Sequence, residues 1–229
     1  MTPGSAAAAA WNPWANDRNT YELYRRRCRQ EAEEMTCAAQ AAEVLGPLVD
    51  SSETLLDAGC GGGYYHWSFA QRGFQSEWHG LDYTPEMVEL ARTELAPRAG
   101  LDPGRFQLGS IEHLDREFDT VLCFNVLTNS PHYGLPLERL LTNCRKRILL
   151  RESMGDELQV RFTPDPYLDE DQRHIRVYHN TYPLAEVRGL MEEMGFSVTQ
   201  IPDRRTGDGT EMVVDIPHSW RILLGERTG

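Results

Sequence analysis

No stretch of this 229-residue chain stays apolar for long enough to cross a bilayer, which excludes a membrane-spanning helical protein. Cysteine is sparse and odd in number: Cys28, Cys37, Cys60, Cys123 and Cys144 include no C-x-x-C pair, so neither a disulfide framework nor a zinc site is expected. That usage fits a reducing compartment, and the cytoplasm is the expected location. The N-terminal alanine run has no basic segment before it and is short, unlike a secretory leader. Basic residues are in deficit, with 23 Lys and Arg against 35 Asp and Glu and a formal net charge of −12. No basic face is obvious enough to attract a phosphate backbone, and nucleic acid is not expected as a partner, with a local patch at Arg25 to Arg29 as the alternative. The arginines of YRRRCRQEAEE read as a solvated helix face that meets the following glutamates. Histidines and carboxylates show no metal-ligand spacing on one helix, so no metal is expected. There is no internal repeat.

What is present begins at residues 55–63, LLDAGCGGG, followed at 79–91 by HGLDYTPEMVELA. An apolar strand, a glycine turn and an acid closing a second strand come in the order of a nucleotide-cofactor site. Glycines let the backbone turn tightly and approach a ligand without a Cβ in the way, and the Asp82 carboxylate can accept from two ribose hydroxyls. The pattern D-x-G-x-G-G-G differs from the dinucleotide fingerprint G-x-G-x-x-G. An acid at Asp57, two residues before the first glycine, repels a pyrophosphate and suits an amino group.

These residues resemble motif I of the class I S-adenosylmethionine (SAM)-dependent methyltransferases, with Asp82 at the position of the acid that ends their second strand. The resemblance covers about residues 54–151 and, more loosely, the tail. It implies an α/β, Rossmann-like fold: a mostly parallel seven-stranded sheet with helices on both faces and an antiparallel last strand. It also implies SAM as cofactor and S-adenosylhomocysteine (SAH) as product. Carried over by position, Asp57 and the turn of Gly59, Cys60, Gly61 and Gly63 hold the methionine end, and Asp82 holds the ribose. Tyr83 and Met87 stand where apolar residues pack on the adenine, with core packing as the alternative for Met87. Ser110 replaces the family's common acid near the adenine, and Ile111 offers a backbone N–H. Asn125 matches a position near the methionine moiety.

Strands are expected at Thr54 to Ala58, up to Asp82, at Arg105 to Leu108, Asp119 to Phe124, Arg147 to Arg151, Phe196 to Ile201 and Trp220 to Leu224, with a shorter run at Met212 to Ile216. A helix is expected from Tyr21 to Leu45, ended by Gly46 and Pro47, with Tyr21 and Tyr24 as candidates to cover the cofactor. Residues 1–16 read as a flexible terminus, in which Trp11 and Trp14 either fold over the site or pack outside the first helix. Residues 17–229 read as one domain, with 17–50 as a helical cap. Residues 152–182 break the βα alternation and read as an insertion that shapes the substrate pocket.

The run CFNVLTNSPHYG, 123–134, closes the fourth strand beside the transferable methyl. Many relatives that methylate small molecules carry a histidine that corresponds to Asn129 here, and this chain has His132 three residues later. Histidine is the natural base near neutral pH. The candidates for catalysis are His132 and His179, with Asn129 to orient the acceptor; Tyr65, Tyr133 and His174 are candidates to line the substrate, with packing on the N-terminal helix as the alternative for Tyr65. The expected activity is methyl transfer from SAM to O or N of a small molecule, a sugar or specialised metabolite. A protein or peptide acceptor, or SAM binding without transfer, remain the alternatives, and a homodimer is left open.

Overall fold

The computed structural model describes residues 14, 18–165, 168, 170 and 173–229. Strand β1 (Thr54–Ala58) is the centre of the sheet, and its leucines are buried because both faces are covered. It pairs in parallel with β2 (Glu77–Asp82) on one side and β4 (Phe118–Phe124) on the other. Outside these run β3 (Phe106–Leu108) beside β2 and β5 (Cys144–Gly155) beside β4, both parallel. The strand order is β3-β2-β1-β4-β5-β12-β9. β12 (Trp220–Arg227) inserts antiparallel between β5 and β9 (Phe196–Ile201). Parallel and antiparallel strands thus fall where the family fold expects them.

One face of the sheet is covered by α1 (Arg18–Cys28), α2 (Thr36–Leu45), α3 (Tyr65–Gln71) and α4 (Pro85–Leu90), the last continued by a π-turn at Ala91–Leu95 and by α5 (Ala96–Ala99). The other face carries α6 (Gly134–Thr142) and α7 (Leu184–Glu193). Each helix turns its apolar stripe inward, as with Leu137, Leu140 and Leu141 of α6, which are fully buried. Among the described residues no helix is long and apolar enough to cross a membrane.

Three expectations are corrected in detail. The single helix from Tyr21 to Leu45 is two helices, parted at residues 29–35, where Gln30 has φ of 60°. The Trp67 indole N–H donates to the Cys28 carbonyl at 2.9 Å and satisfies that end of α1. Glu31 and Glu34, three residues apart, oppose a continued helix by like-charge repulsion. Strand β5 runs four residues past Arg151, and a two-residue strand β8 (Tyr182–Pro183) pairs with its extension as an eighth member of the sheet. The run near Met212 is one arm of a separate hairpin, β10 (Glu211–Val213) with β11 (Ile216–His218).

The segment after β5 forms a second small hairpin, β6 (Phe162–Pro164) with β7 (Arg176–Tyr178). It is tied to the loop after β4: the Asn180 N–H donates to the Thr128 carbonyl at 2.8 Å, the Asn180 side chain donates to the Ser130 carbonyl at 2.7 Å, and the Tyr182 hydroxyl donates to the Leu127 carbonyl at 2.8 Å. The segment therefore lies at the carboxyl end of β4. The flexible terminus expected for residues 1–16, including Trp11, falls outside the described residues apart from Trp14.

Candidate active site

The glycine turn is bound to the end of β2 by its backbone. The Gly59 and Cys60 N–H groups both donate to the Leu81 carbonyl, at 2.7 and 3.1 Å. Gly59 has φ of 75°, and a Cβ there would fall 2.3 Å from Val126, so only glycine fits between β1 and the loop after β4. Gly61, with φ of 52°, lies beneath the Tyr24 ring of α1, whose Cε2 would sit 3.0 Å from an added Cβ. The expected cover over the turn is thus Tyr24, while Tyr21 is exposed. The Cys60 thiol turns away into the core, where a Cβ on Gly80 would meet its Sγ at 2.7 Å, so its contribution to the turn is its backbone.

Two carboxylates end the paired strands. Asp82 accepts the Gly61 N–H at 2.8 Å on Oδ2 and the Thr84 N–H at 2.8 Å on Oδ1. The Thr84 hydroxyl and the Tyr83 N–H also bond this carboxylate, which is thereby fixed at the strand end as an acceptor-only group of the kind that takes vicinal hydroxyls. Burial raises its pKa, and the N–H groups of Thr84 and Gly61 oppose that rise. Asp57 is only 4% exposed, and its Oδ2 is buried with no hydrogen-bond partner. Burial, and then repulsion from Asp82, push its carboxyl from the ordinary 3.8 up to about 8. A ligand that brings a cationic N–H group to Asp57 and a diol to Asp82 satisfies both acids. A pyrophosphate would do the reverse. The residues present therefore fit the amino acid and ribose ends of SAM.

Around the expected adenine position, Tyr83 is 38% exposed, and the Trp14 indole hydrogen-bonds its hydroxyl. Met87 is 2% exposed within the core beneath α4, the packing alternative weighed for it. Ser110 accepts the Glu112 N–H at 3.3 Å and caps the short turn Ile111–His113; Ile111 is buried in the core of the opposite face.

The end of β4 and the end of β5 meet beside the glycine turn, where the acceptor is expected. Asn125 adopts φ of 59°, donates its N–H to the Arg151 carbonyl at 2.8 Å, and receives a hydrogen bond from Arg151 Nη1 on its Oδ1. Asn129 donates its side-chain amide to the Asn125 carbonyl at 2.9 Å. Arg151 is buried, pairs with buried Asp203 at 2.6 Å, and lies 4.5 Å over the Trp220 ring. Glu152, 1% exposed, accepts three backbone N–H groups, from Val126, Leu127 and Thr128, at 2.9, 3.0 and 2.8 Å. Those bonds hold the loop that separates the glycine turn from the rest of the site. Arg151, Glu152 and Asp203 escaped the sequence reading. The available signal was the adjacent charged pair closing the apolar run RILL, since charge at the end of a buried strand needs a partner.

The remaining candidates are dispersed. His132 is exposed, 3.7 Å from Glu112, and His174 is exposed on the hairpin. Tyr133 donates to Glu186 of α7 at 3.0 Å and packs on Tyr182. Tyr65 is buried between Phe124 and α2, its hydroxyl 3.2 Å from the Cys37 thiol. His179 is 5% exposed, and its Nε2 is buried without a partner.

Comparison with known proteins agrees with this geometry. A family model described as a methyltransferase domain matches residues 49–175. The mitochondrial ubiquinone biosynthesis O-methyltransferase of Candida albicans is 34% identical over 102 residues, 43% of this chain and 30% of that protein. The uncharacterized methyltransferase YcgJ of Bacillus subtilis is 30% identical over 142 residues, 58% of this chain and 53% of that protein. The chain thus spans about half or less of the curated relatives it matches. Among solved structures, magnesium protoporphyrin IX methyltransferase from Synechocystis PCC 6803 with bound SAM superposes with a TM-score of 0.60 at 18% identity, covering 100% of both chains. The 1,6-didemethyltoxoflavin-N1-methyltransferase of Burkholderia thailandensis gives a TM-score of 0.60 at 18% identity, over 100% of this chain and 92% of that one. These two likenesses are of fold. The family match covers more than half of the chain and includes the glycine turn and both acids, and this protein belongs to the class I SAM-dependent methyltransferases.

Proposed function

We propose that the chain transfers the methyl group of SAM to an oxygen or nitrogen atom of a small molecule, acting in the cytoplasm. The observation that supports this reading is the set of bonds that join residues 180–182 and α1 to the carboxyl edge of the sheet. The segment 152–182 is bonded into the loop after β4 through Asn180 and Tyr182, and α1 lays Tyr24 on Gly61. A site roofed from both sides suits a compact acceptor, and the net charge of −12 does not favour a nucleic acid. On this reading residues 17–50 and 152–182 are the two covers of one domain.

When bound, SAM supplies an electrophilic methyl on a sulfonium. The protein's contribution is placement: Asp57 neutralises the ammonium, Asp82 takes the ribose hydroxyls, and Asn125, held by Arg151, closes the site toward the acceptor. Charge on the sulfonium disappears as the methyl leaves, so a dry pocket favours the transfer. The test is incubation with methyl-labelled SAM and a low-mass metabolite extract, followed by mass identification of labelled products. A labelled small molecule is expected. Label found only in protein, or in nothing, would refute the proposal.

A further inference from the structure

We infer that the buried pair His179 and His218 docks an acidic hydroxyl of the methyl acceptor, a phenol or an enol, with His179 Nε2 receiving its proton; this rests on the methyl-transfer reading above. The two rings lie 5.7 Å apart. His218 is 1% exposed and stacks on Trp220 at 4.9 Å with an interplanar angle of 7°. Trp220 lies under Arg151, Arg151 holds Asn125, and Val126 touches the glycine turn. The pair therefore belongs to a continuous wall that starts at the cofactor loop.

Three ring nitrogens of this pair, His179 Nε2 and both of His218, are buried with no hydrogen-bond partner. Leaving such a group without a partner is destabilising, and folded proteins leave few of them. Two phenylalanines would fill the same space without that cost. An acceptor hydroxyl placed against the pair restores one of the missing bonds.

The acidity of the hydroxyl follows from the base. Burial lowers the pKa of His179, with Asp165 opposing and Arg161 reinforcing that shift, and burial holds His218 at about 4. Both rings are then neutral near pH 7, and a neutral imidazole of low basicity suits a phenolic proton with a pKa of about 10, as in tyrosine, better than an alkyl hydroxyl. In the step itself the O–H bond breaks and its proton moves to His179 Nε2. The oxygen lone pair forms the new O–CH₃ bond, and the S–CH₃ bonding pair stays on sulfur as the neutral thioether of SAH. The imidazolium afterwards passes its proton to water.

The experiment locates the label. Wild-type protein is incubated with methyl-labelled SAM and a low-mass extract of the source cells, and the labelled product is solved by NMR. An aryl or enol methyl ether is expected. Label on nitrogen, carbon, a carboxylate or an alkyl hydroxyl overturns the inference while leaving methyl transfer intact; no labelled small molecule refutes the underlying reading as well. With that acceptor in hand, His179→Phe should lower kcat by about 10²-fold or more, and His218→Phe should raise KM for the acceptor as well as lower kcat. SAH affinity should be unchanged in both. Retained turnover in the two variants would assign the pair to packing alone.

Discussion

Replacing Asp57 by asparagine should make the ligand-free protein more stable and its cofactor binding weaker, in opposite senses and with different pH dependence. In the folded chain the Asp57 carboxyl titrates at about 8 instead of 3.8. The unfolded chain releases this proton at lower pH than the folded chain does. Its contribution to stability is therefore undiminished below about pH 4, is lost progressively as pH rises to about 8, and changes no further above that. At about 1.4 kcal/mol per pH unit, the loss between pH 5 and pH 8 reaches about 4 kcal/mol if the carboxyl stays as shielded as it is here. Relaxation of the surroundings reduces that figure. Asp57→Asn keeps the shape and removes the titration, so its stability gain over wild type in urea unfolding should widen from pH 5 to pH 8. Binding reverses the sign: an ammonium beside Asp57 favours the carboxylate, so SAH uptake at pH 6.5 should release close to one proton. Calorimetry in two buffers of different ionisation enthalpy measures that number directly. The asparagine variant should release none and bind SAH about 10- to 150-fold more weakly, the range for a hydrogen bond to a charged group. Equal proton release by the two proteins, or parallel stability curves against pH, would refute the reasoning.

Other changes separate the parts of the site. Asp82→Ala should weaken both SAM and SAH by about 1.5–3 kcal/mol, measured by calorimetry, and unchanged affinity would remove the ribose assignment. Asp203→Ala leaves Arg151 buried without its carboxylate and should cost about 3–5 kcal/mol in urea unfolding. Glu152→Gln turns an amide N–H₂ toward at least one of three backbone donors; a loss of about 1–3 kcal/mol in stability is expected, together with faster hydrogen exchange at Val126, Leu127 and Thr128. Gly61→Ala meets both a left-handed φ and the Tyr24 ring, and should lower SAH affinity more than overall stability, checked by calorimetry and thermal unfolding on the same protein.

The sequence by itself determined the family, the cofactor and the β1–turn–β2 unit of this protein. β1 was legible to the residue, because a run of leucines with a glycine turn has one local solution. The junction of the turn with Asp82 was also legible from spacing, since the ends of two consecutive paired strands keep short, fixed separations. The polar network at the ends of β4 and β5 was decided by tertiary structure alone. Arg151 meets Asp203 across 52 positions, and Glu152 gathers the Val126 to Thr128 amides from the loop after β4; no local period records such pairings. Among the histidines, chain position suggested His132 and His179 alike; His132 lies exposed, while His179, just after β7, is buried with its ring 5.7 Å from that of His218 at the end of β11. The break between α1 and α2 has the same origin, in a carbonyl capped by a tryptophan 39 residues away. Local chemistry can specify a turn or a strand from its own residues, but a buried polar network takes its stability from partners brought together only when the sheet is complete.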